Sequence, residues 1–276
     1  MPSNREAYFS ALRKGVEKDI VNFALQEVNG FDYSELCKHI DDEIKDIDEF
    51  NNAVDRYLNG EMIEYIFNKT YFLGLPFYVD KNVLIPRQET EQLVIRTKEL
   101  IGELFGNKPI VVADVCTGSG AIGLSLKKDI DTATIYLTDI SKDALLVAKK
   151  NADMLNLEVK LLEGDMLAPL IENNARCDVI VCNPPYISDV STIDKKTWEQ
   201  EPHVALLASP DTLFYESILK DYQNITNDKC LLAFEIGEDM EESLTRILKQ
   251  HCPYAKYSFE KDLYNKTRFL FILIGV

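Results

Sequence analysis

Two short segments carry residue types with which a polypeptide does chemistry. The first is Asn183-Pro184-Pro185-Tyr186, directly after the apolar run Val179-Ile180-Val181-Cys182. Proline lacks an amide hydrogen and stiffens the chain, so this turn exposes carbonyl oxygens toward a ligand. If the Asn183 side-chain oxygen and the Pro184 carbonyl each accept one N–H, they fix a planar NH2 group in one orientation. The nitrogen of an amide or an aniline-like amine is a poor nucleophile because its lone pair is delocalised. Acceptors aimed at it orient that lone pair and stabilise positive charge as it develops. Tyr186 is placed to stack on the planar group, with Pro185 completing the elbow. No general base is required before group transfer, so proximity and electrostatics must supply most of the acceleration. An N-P-P sequence is ordinarily just a turn; its place at the end of a central strand gives this one a chemical reading.

The second segment is Asp114-Val115-Cys116-Thr117-Gly118-Ser119-Gly120-Ala121-Ile122-Gly123, between an apolar run and a helical pattern. Gly118, Gly120 and Gly123 fit G-x-G-x-x-G, in which the missing Cβ atoms let a ligand approach the free amides of a helix start. That pattern is weak by itself, and two carboxylates sharpen it. Asp139 ends the second candidate strand, in Leu137-Thr138-Asp139, about where an acid receives a pair of ribose hydroxyls. Asp165 follows the run after that and is placed to face an adenine amino group. A nicotinamide dinucleotide would use the same glycines and Asp139, but Asp114 would repel its pyrophosphate. S-adenosylmethionine has no phosphate and carries an ammonium and a sulfonium, so it is the expected cofactor. Each acid alone reads equally well as a strand-end cap, whereas three at successive strand ends of one sheet point to a ligand.

These segments need a sheet to hold them. From residue 88 onward helical patterns alternate with continuous apolar runs at 110–113, 134–137, 159–162, 179–182 and 231–234. Such runs signal parallel strands covered on both faces. Candidate strands at 255–260 and 268–274 follow, joined by a short polar stretch that suggests an antiparallel hairpin closing the sheet. The expected fold class is therefore α/β, with a seven-stranded, mostly parallel sheet. Ahead of it, Ser3 and Glu6 fit a capping box, and apolar residues recur at helical spacing in four units up to about residue 65. Residues 71–79 are aromatic and extended, Asp80-Lys81-Asn82 reads as a turn, and Val83-Leu84-Ile85 resumes, which predicts a β-hairpin. The expected domains are residues 1–67, a helical bundle; 68–87, a hairpin linker; and 88–276, the ligand-binding domain.

The chain of 276 residues has 46 acidic and 30 basic side chains, a formal charge of −16. Binding free nucleic acid rests on Lys and Arg neutralising phosphates, so this balance disfavours it. Residues 1–70 alone hold 15 Asp and Glu against 8 Lys and Arg, read as a solvated face that suits a positively charged protein partner better than DNA. The six cysteines include no C-x-x-C and read as buried free thiols. The three histidines, His39, His203 and His251, lie far apart and suggest no metal site. The start of the chain lacks a signal-peptide core, and the longest apolar run, 269–274, is far short of the ~20 residues of a membrane span. A cytoplasmic protein with no membrane contact is expected.

The chain resembles the release factor glutamine methyltransferases, which methylate the side-chain amide nitrogen of a glutamine in a Gly-Gly-Gln loop of peptide chain release factors. The resemblance runs through Val83-Leu84-Ile85-Pro86-Arg87-Gln88-Glu89-Thr90-Glu91, Thr117-Gly118-Ser119-Gly120, Asp139, Asn183-Pro184-Pro185-Tyr186-Ile187 and Glu201-Pro202-His203-Val204-Ala205-Leu206. N-P-P-Y alone is shared with adenine-N6 DNA methyltransferases, leaving methylation of DNA or RNA as the alternative. The I-P-R-x-x-T-E and E-P-x-x-A-L segments together are far more discriminating. The resemblance implies a Rossmann-like class I methyltransferase domain behind a helical domain and a hairpin, acting as a monomer on a release factor. It implies that Cys116, Thr117, Gly118, Ser119 and Gly120, with Asp114 before them, line the methionine end of the cofactor. Asp139 would bind ribose, Asp165 and Met166 would lie at the adenine, and Asn183 would border both cofactor and acceptor. Thr90 and Glu91 either border the cofactor's amino-acid end or, for Thr90, cap a helix; Arg87 could equally brace the hairpin. Three departures stand out: Cys116 where glycine is common, Gln88 where proline is frequent after Arg87, and Met166 where a larger aromatic sometimes sits.

Overall fold

The capping box of Ser3 and Glu6 opens α1 (Asn4–Arg13): the Glu6 amide donates to Ser3 Oγ at 3.2 Å, and the Ser3 amide to the Glu6 carboxylate at 2.8 Å. Helix α2 (Lys18–Asn29) ends on Gly30, whose φ of 73° lets the chain turn out of the helix. Helices α3 (Tyr33–Lys38), α4 (Ile47–Leu58) and α5 (Ile63–Phe67) follow. Ile40 lies beyond α3, and α5 is too short to show a period in the sequence. Val21, Leu25, Ile44 and Phe50 are buried between these helices. The computed structural model describes residues 1–276 and divides into two units, Met1–Lys69 with Lys195–Gln200, and Thr70–Asp194 with Glu201–Val276.

The second unit begins with a hairpin, but not the expected one. Strands β1 (Thr70–Phe72) and β2 (Leu75–Phe77) pair antiparallel around Leu73-Gly74, with φ of 49° and 73°. Two positive φ values give the tight turn whose twist matches a hairpin. A leucine rarely takes this conformation, which hid the turn; here the Glu91 carboxylate accepts the Leu73 amide at 2.7 Å and holds it. Asp80-Lys81-Asn82 does turn, with the Asn82 amide on Asp80 Oδ1 at 2.9 Å, but Val83-Leu84-Ile85 forms no strand. Instead the Ile85 amide donates to a side chain, Glu201 Oε1, at 3.1 Å.

Seven strands form the main sheet: β3 (Val111–Val115), β4 (Thr134–Asp139), β5 (Lys160–Glu163), β6 (Cys177–Cys182), β7 (Thr226–Glu235), β8 (Lys256–Lys261) and β9 (Thr267–Ile274). Their order is β5-β4-β3-β6-β7-β9-β8, parallel except for β9. The terminal hairpin thus inserts its second arm, β9, beside β7 and leaves β8 at the edge. Helices α6 (Gln88–Phe105), α7 (Ala121–Asp129) and α8 (Lys142–Leu155) share one apolar core with Val112, Val179, Val181, Leu231 and Ala233. Helices α9 (Ala168–Glu172), α11 (Leu213–Asp221) and α12 (Glu241–His251) share the other with Ala113, Val115, Ile180, Cys182, Leu232 and Phe234; α10 is Lys195–Gln200. Alternate residues of each strand serve opposite cores, so these strands read as continuous apolar runs. Cys177, Cys182, Cys230 and Cys252 are buried free thiols, Cys116 is half-buried, and Cys37 is exposed. No helix is long and apolar enough to cross a membrane.

Candidate functional site

The strand order reverses between β3 and β6, which opens a crevice at their carboxyl ends. A cavity lies there, with about 1040 Å³ of space including its mouth. Cys116, Thr117, Gly118, Ser119, Asp139, Asp165, Met166, Asn183 and Pro185 all line it, although they come from four different strand ends. Leu84, Pro86, Arg87, Thr90, Ile140, Val204 and Phe214 complete much of its wall.

The glycine loop is held tightly from behind. Cys116, Gly118 and Gly120 have φ of 58°, 53° and 84°. Glycine takes this left-handed region freely, so the cysteine at 116 holds backbone strain of about 1–3 kcal/mol. A Cβ on Gly118 would meet no atom within 4 Å, because it would project into open space. Asp114 was expected to face the ligand and is absent from the cavity wall, as is Gly120. Fully buried, Asp114 accepts the Thr117 hydroxyl at 2.6 Å and the Gly123 amide at 2.9 Å on Oδ2, while Oδ1 has no partner. Burial pushes its carboxyl up to about 7, against the pull of those two donors. Hence Asp114 acts on the shape of the loop, tying its start to the first turn of α7.

Asp139 reaches the loop from β4. Its Oδ2 accepts the Gly118 amide and its Oδ1 the Ser141 amide, each at 2.9 Å, and burial raises its pKa. Two carboxylate oxygens offer about four acceptor places, so Asp139 keeps capacity for a diol in the cavity. The Thr117 amide goes to Thr138 O and the Gly120 amide to Thr117 O, both at 2.9 Å. With Gly118 and Gly123 also engaged, four amides that could cradle a phosphate are already taken by protein oxygens. The open face at Gly118, the spare acceptors of Asp139 and the apolar Ile140 and Met166 fit S-adenosylmethionine. They do not fit a pyrophosphate.

Asn183 stands at the end of β6, with Pro184 and Pro185 buried behind it. Its Nδ2 donates to Thr90 Oγ1 at 3.2 Å, and Thr90 Oγ1 donates to Glu235 Oε2 at 2.7 Å. Neither Pro184 nor Tyr186 is on the cavity wall. The Tyr186 hydroxyl lies 3.5 Å from Glu235 Oε1, and burial, then Glu235, pushes its pKa up to about 12. Thr90 sits in the first turn of α6, where Arg87 is the cap residue, and Glu91 points away to Leu73. Arg87 pairs with buried Glu201, which joins the I-P-R segment to the E-P-x-x-A-L segment.

Glu235 went unseen in the sequence. It ends β7 in Leu231-Leu232-Ala233-Phe234-Glu235 and is 3% exposed. The signal was there: an acid closing an apolar strand, as at Asp139, but with no motif around it. Ile140, the residue after a strand-end acid, carried a similar signal; it is 55% exposed despite its size.

The fold and crevice are those of a Rossmann-like methyltransferase. The methyltransferase small domain family matches residues 92–200. A release factor glutamine methyltransferase of Bacillus cereus is 35% identical over 241 residues, 86% of this chain and 85% of that protein. One of Mycoplasma mycoides is 33% identical over 93% of each chain. This chain belongs to the release factor glutamine methyltransferase family. A solved Thermus thermophilus 16S rRNA N2 G1207 methyltransferase, in complex with AdoMet and guanosine, shares the fold alone. Its TM-score is 0.53 at 16% identity, over 75% of this chain and 49% of that one.

Proposed function

We propose that this chain transfers a methyl group from S-adenosylmethionine to the side-chain amide nitrogen of the glutamine in the Gly-Gly-Gln loop of a peptide chain release factor. The observation that carries this is the meeting of Asn183 and Pro185 with the glycine loop, Asp139 and Asp165 around one cavity. The cofactor supplies an electrophilic methyl carbon. The chain's own residues bind and orient. Asp139 receives the ribose hydroxyls, Asp165 and Met166 border the adenine, and Cys116 to Ser119 pass the methionine end, with Gly120 shaping the loop behind them. Asp114 contributes by fixing that loop. Asn183 Oδ1 and the Pro184 carbonyl each accept one N–H of the glutamine amide, and Pro185 and Tyr186 shape the elbow that receives it. These acceptors strengthen as positive charge grows on the nitrogen, which is where catalysis gains.

Residues 88–276 form the transferring domain in this reading, residues 68–87 the linker, and residues 1–67 the part that recognises the protein substrate. The formal charge of −16 supports a protein acceptor over free DNA or RNA. The enzyme acts as a monomer, in the cytoplasm where release factors work. Asn183→Ala tests the assignment. Cofactor binding by titration calorimetry is expected to persist, while methyl transfer falls by about 10²–10³-fold, as when one transition-state hydrogen bond is removed elsewhere. Normal turnover by that variant would remove Asn183 from the mechanism.

A further inference from the structure

An asparagine amide has an oxygen and a nitrogen of nearly the same shape, so only its partners decide which one faces a ligand. A clamp for an NH2 group needs the oxygen. We propose that Thr90 and Glu235 are positioning residues that fix the Asn183 amide with Oδ1 toward the acceptor. This inference rests on the reading of Asn183 as the clamp.

Thr90 and Glu235 are 5% and 3% exposed, so their hydrogen bonds lie largely out of solvent. A threonine hydroxyl has a single hydrogen. The Glu235 carboxylate takes it at 2.7 Å, and the Thr90 oxygen then has only lone pairs left for Asn183, 3.2 Å away. It can meet only an N–H. Turning the amide over would set two acceptors against each other in a buried place. The remaining Oδ1 is left for the cavity that Asn183 lines.

Glu235 is itself well anchored. Its backbone carbonyl accepts the buried Tyr215 hydroxyl at 2.8 Å. Arg268 from β9 favours the charged carboxylate, whereas burial and Glu89 from α6 oppose it, and the balance raises its pKa to about 7. The Tyr186 hydroxyl faces the other oxygen at 3.5 Å. Once protonated, Glu235 can donate to Thr90, whose own hydrogen is then free to meet Asn183 Oδ1. Acid therefore unlocks the amide, and the rate of transfer should fall below about pH 7.

The test measures kcat on an intact release factor, with cofactor affinity by calorimetry, for Thr90→Val, Thr90→Ser, Glu235→Gln and the Val/Gln double variant. Val keeps the shape of Thr90 and removes its hydroxyl. We expect T90V to lose about 10–100-fold in kcat, by analogy with residues that orient metal-ligating side chains through a hydrogen bond. Cofactor affinity should stay within about threefold, and T90S should recover most of the loss. E235Q should lose the acid limb of the pH profile. The double variant should be no worse than the poorer single one, because both act through one amide. Unchanged kcat in T90V, no recovery in T90S, or losses that multiply would each overturn the proposal. If T90V does not fold, E235Q with normal kcat and an unaltered acid limb would overturn it alone. Failure of the unmodified enzyme to methylate the release factor, with cofactor bound, would instead overturn the proposed function and this inference with it.

Discussion

At the scale of single residues, the site depends on carboxylates that the fold uses in different ways. Asp139 divides its acceptors between the loop and the cavity, so its removal should weaken the cofactor and not only the loop. Asp139→Ala is expected to cost about 1.5–3 kcal/mol of S-adenosylmethionine binding, the range for hydrogen bonds to a charged group. Calorimetry showing unchanged affinity would contradict that assignment. Asp114 lies one layer behind, and burial raises its carboxyl from 3.8 to about 7. The folded chain therefore binds this proton more tightly than the unfolded chain does. The resulting stability is present in acid and is lost as pH rises from about 4 through about 7. Asp114→Asn removes that dependence while leaving an acceptor for Thr117 and Gly123. In the ligand-free protein its urea midpoint should gain on the unmodified chain between about pH 5 and about pH 8. A constant difference across that window would show that Asp114 does not titrate as described.

At the scale of elements, the glycine loop keeps its place because α7 packs very close to the sheet. A Cβ on Gly123 would stand 2.4 Å from Leu137 Cδ2 and 3.0 Å from the Asp114 side chain. Gly123→Ala must displace the Leu137 side chain or α7 itself, with an expected loss of about 1–3 kcal/mol in stability, typical of overpacking. Denaturant unfolding reads this, and an unchanged midpoint would mean that the helix start has room to shift. The same elements explain what the sequence made legible. The central strands announced themselves because both faces are buried, and Asn183 and Asp139 could be placed because each lies within two residues of the end of such a run. Which arm of the terminal hairpin lies inside was also readable, though only by comparing the arms. Arg268 to Ile274 is continuously apolar after its first residue, whereas Lys256-Tyr257-Ser258-Phe259-Glu260-Lys261 is the polar edge. Asp114 was misplaced because a buried strand residue does not announce where its side chain points. Its partners, Thr117 and Gly123, are set by the turn after it. Glu235 escaped because its role depends on Thr90, 145 positions away.

At the scale of the whole molecule, five chain segments far apart in sequence meet around one crevice. The loop after β3, the ends of β4 and β5 and the elbow after β6 form one wall system; the I-P-R segment, tied to Glu201, forms another. The acidic charge of the chain gives a phosphate-rich acceptor little to hold, and a protein acceptor avoids that repulsion. The central claim is that this crevice delivers a methyl group to a glutamine amide held by Asn183. The most direct measurement is mass spectrometry of a purified release factor after incubation with the enzyme and S-adenosylmethionine, run beside Asn183→Ala and beside a mixed oligonucleotide. The expected result is a single added methyl on the Gly-Gly-Gln glutamine, strongly reduced with the variant at equal time and absent from the oligonucleotide. Methylated adenine, or a glutamine modified equally well by the variant, would contradict it.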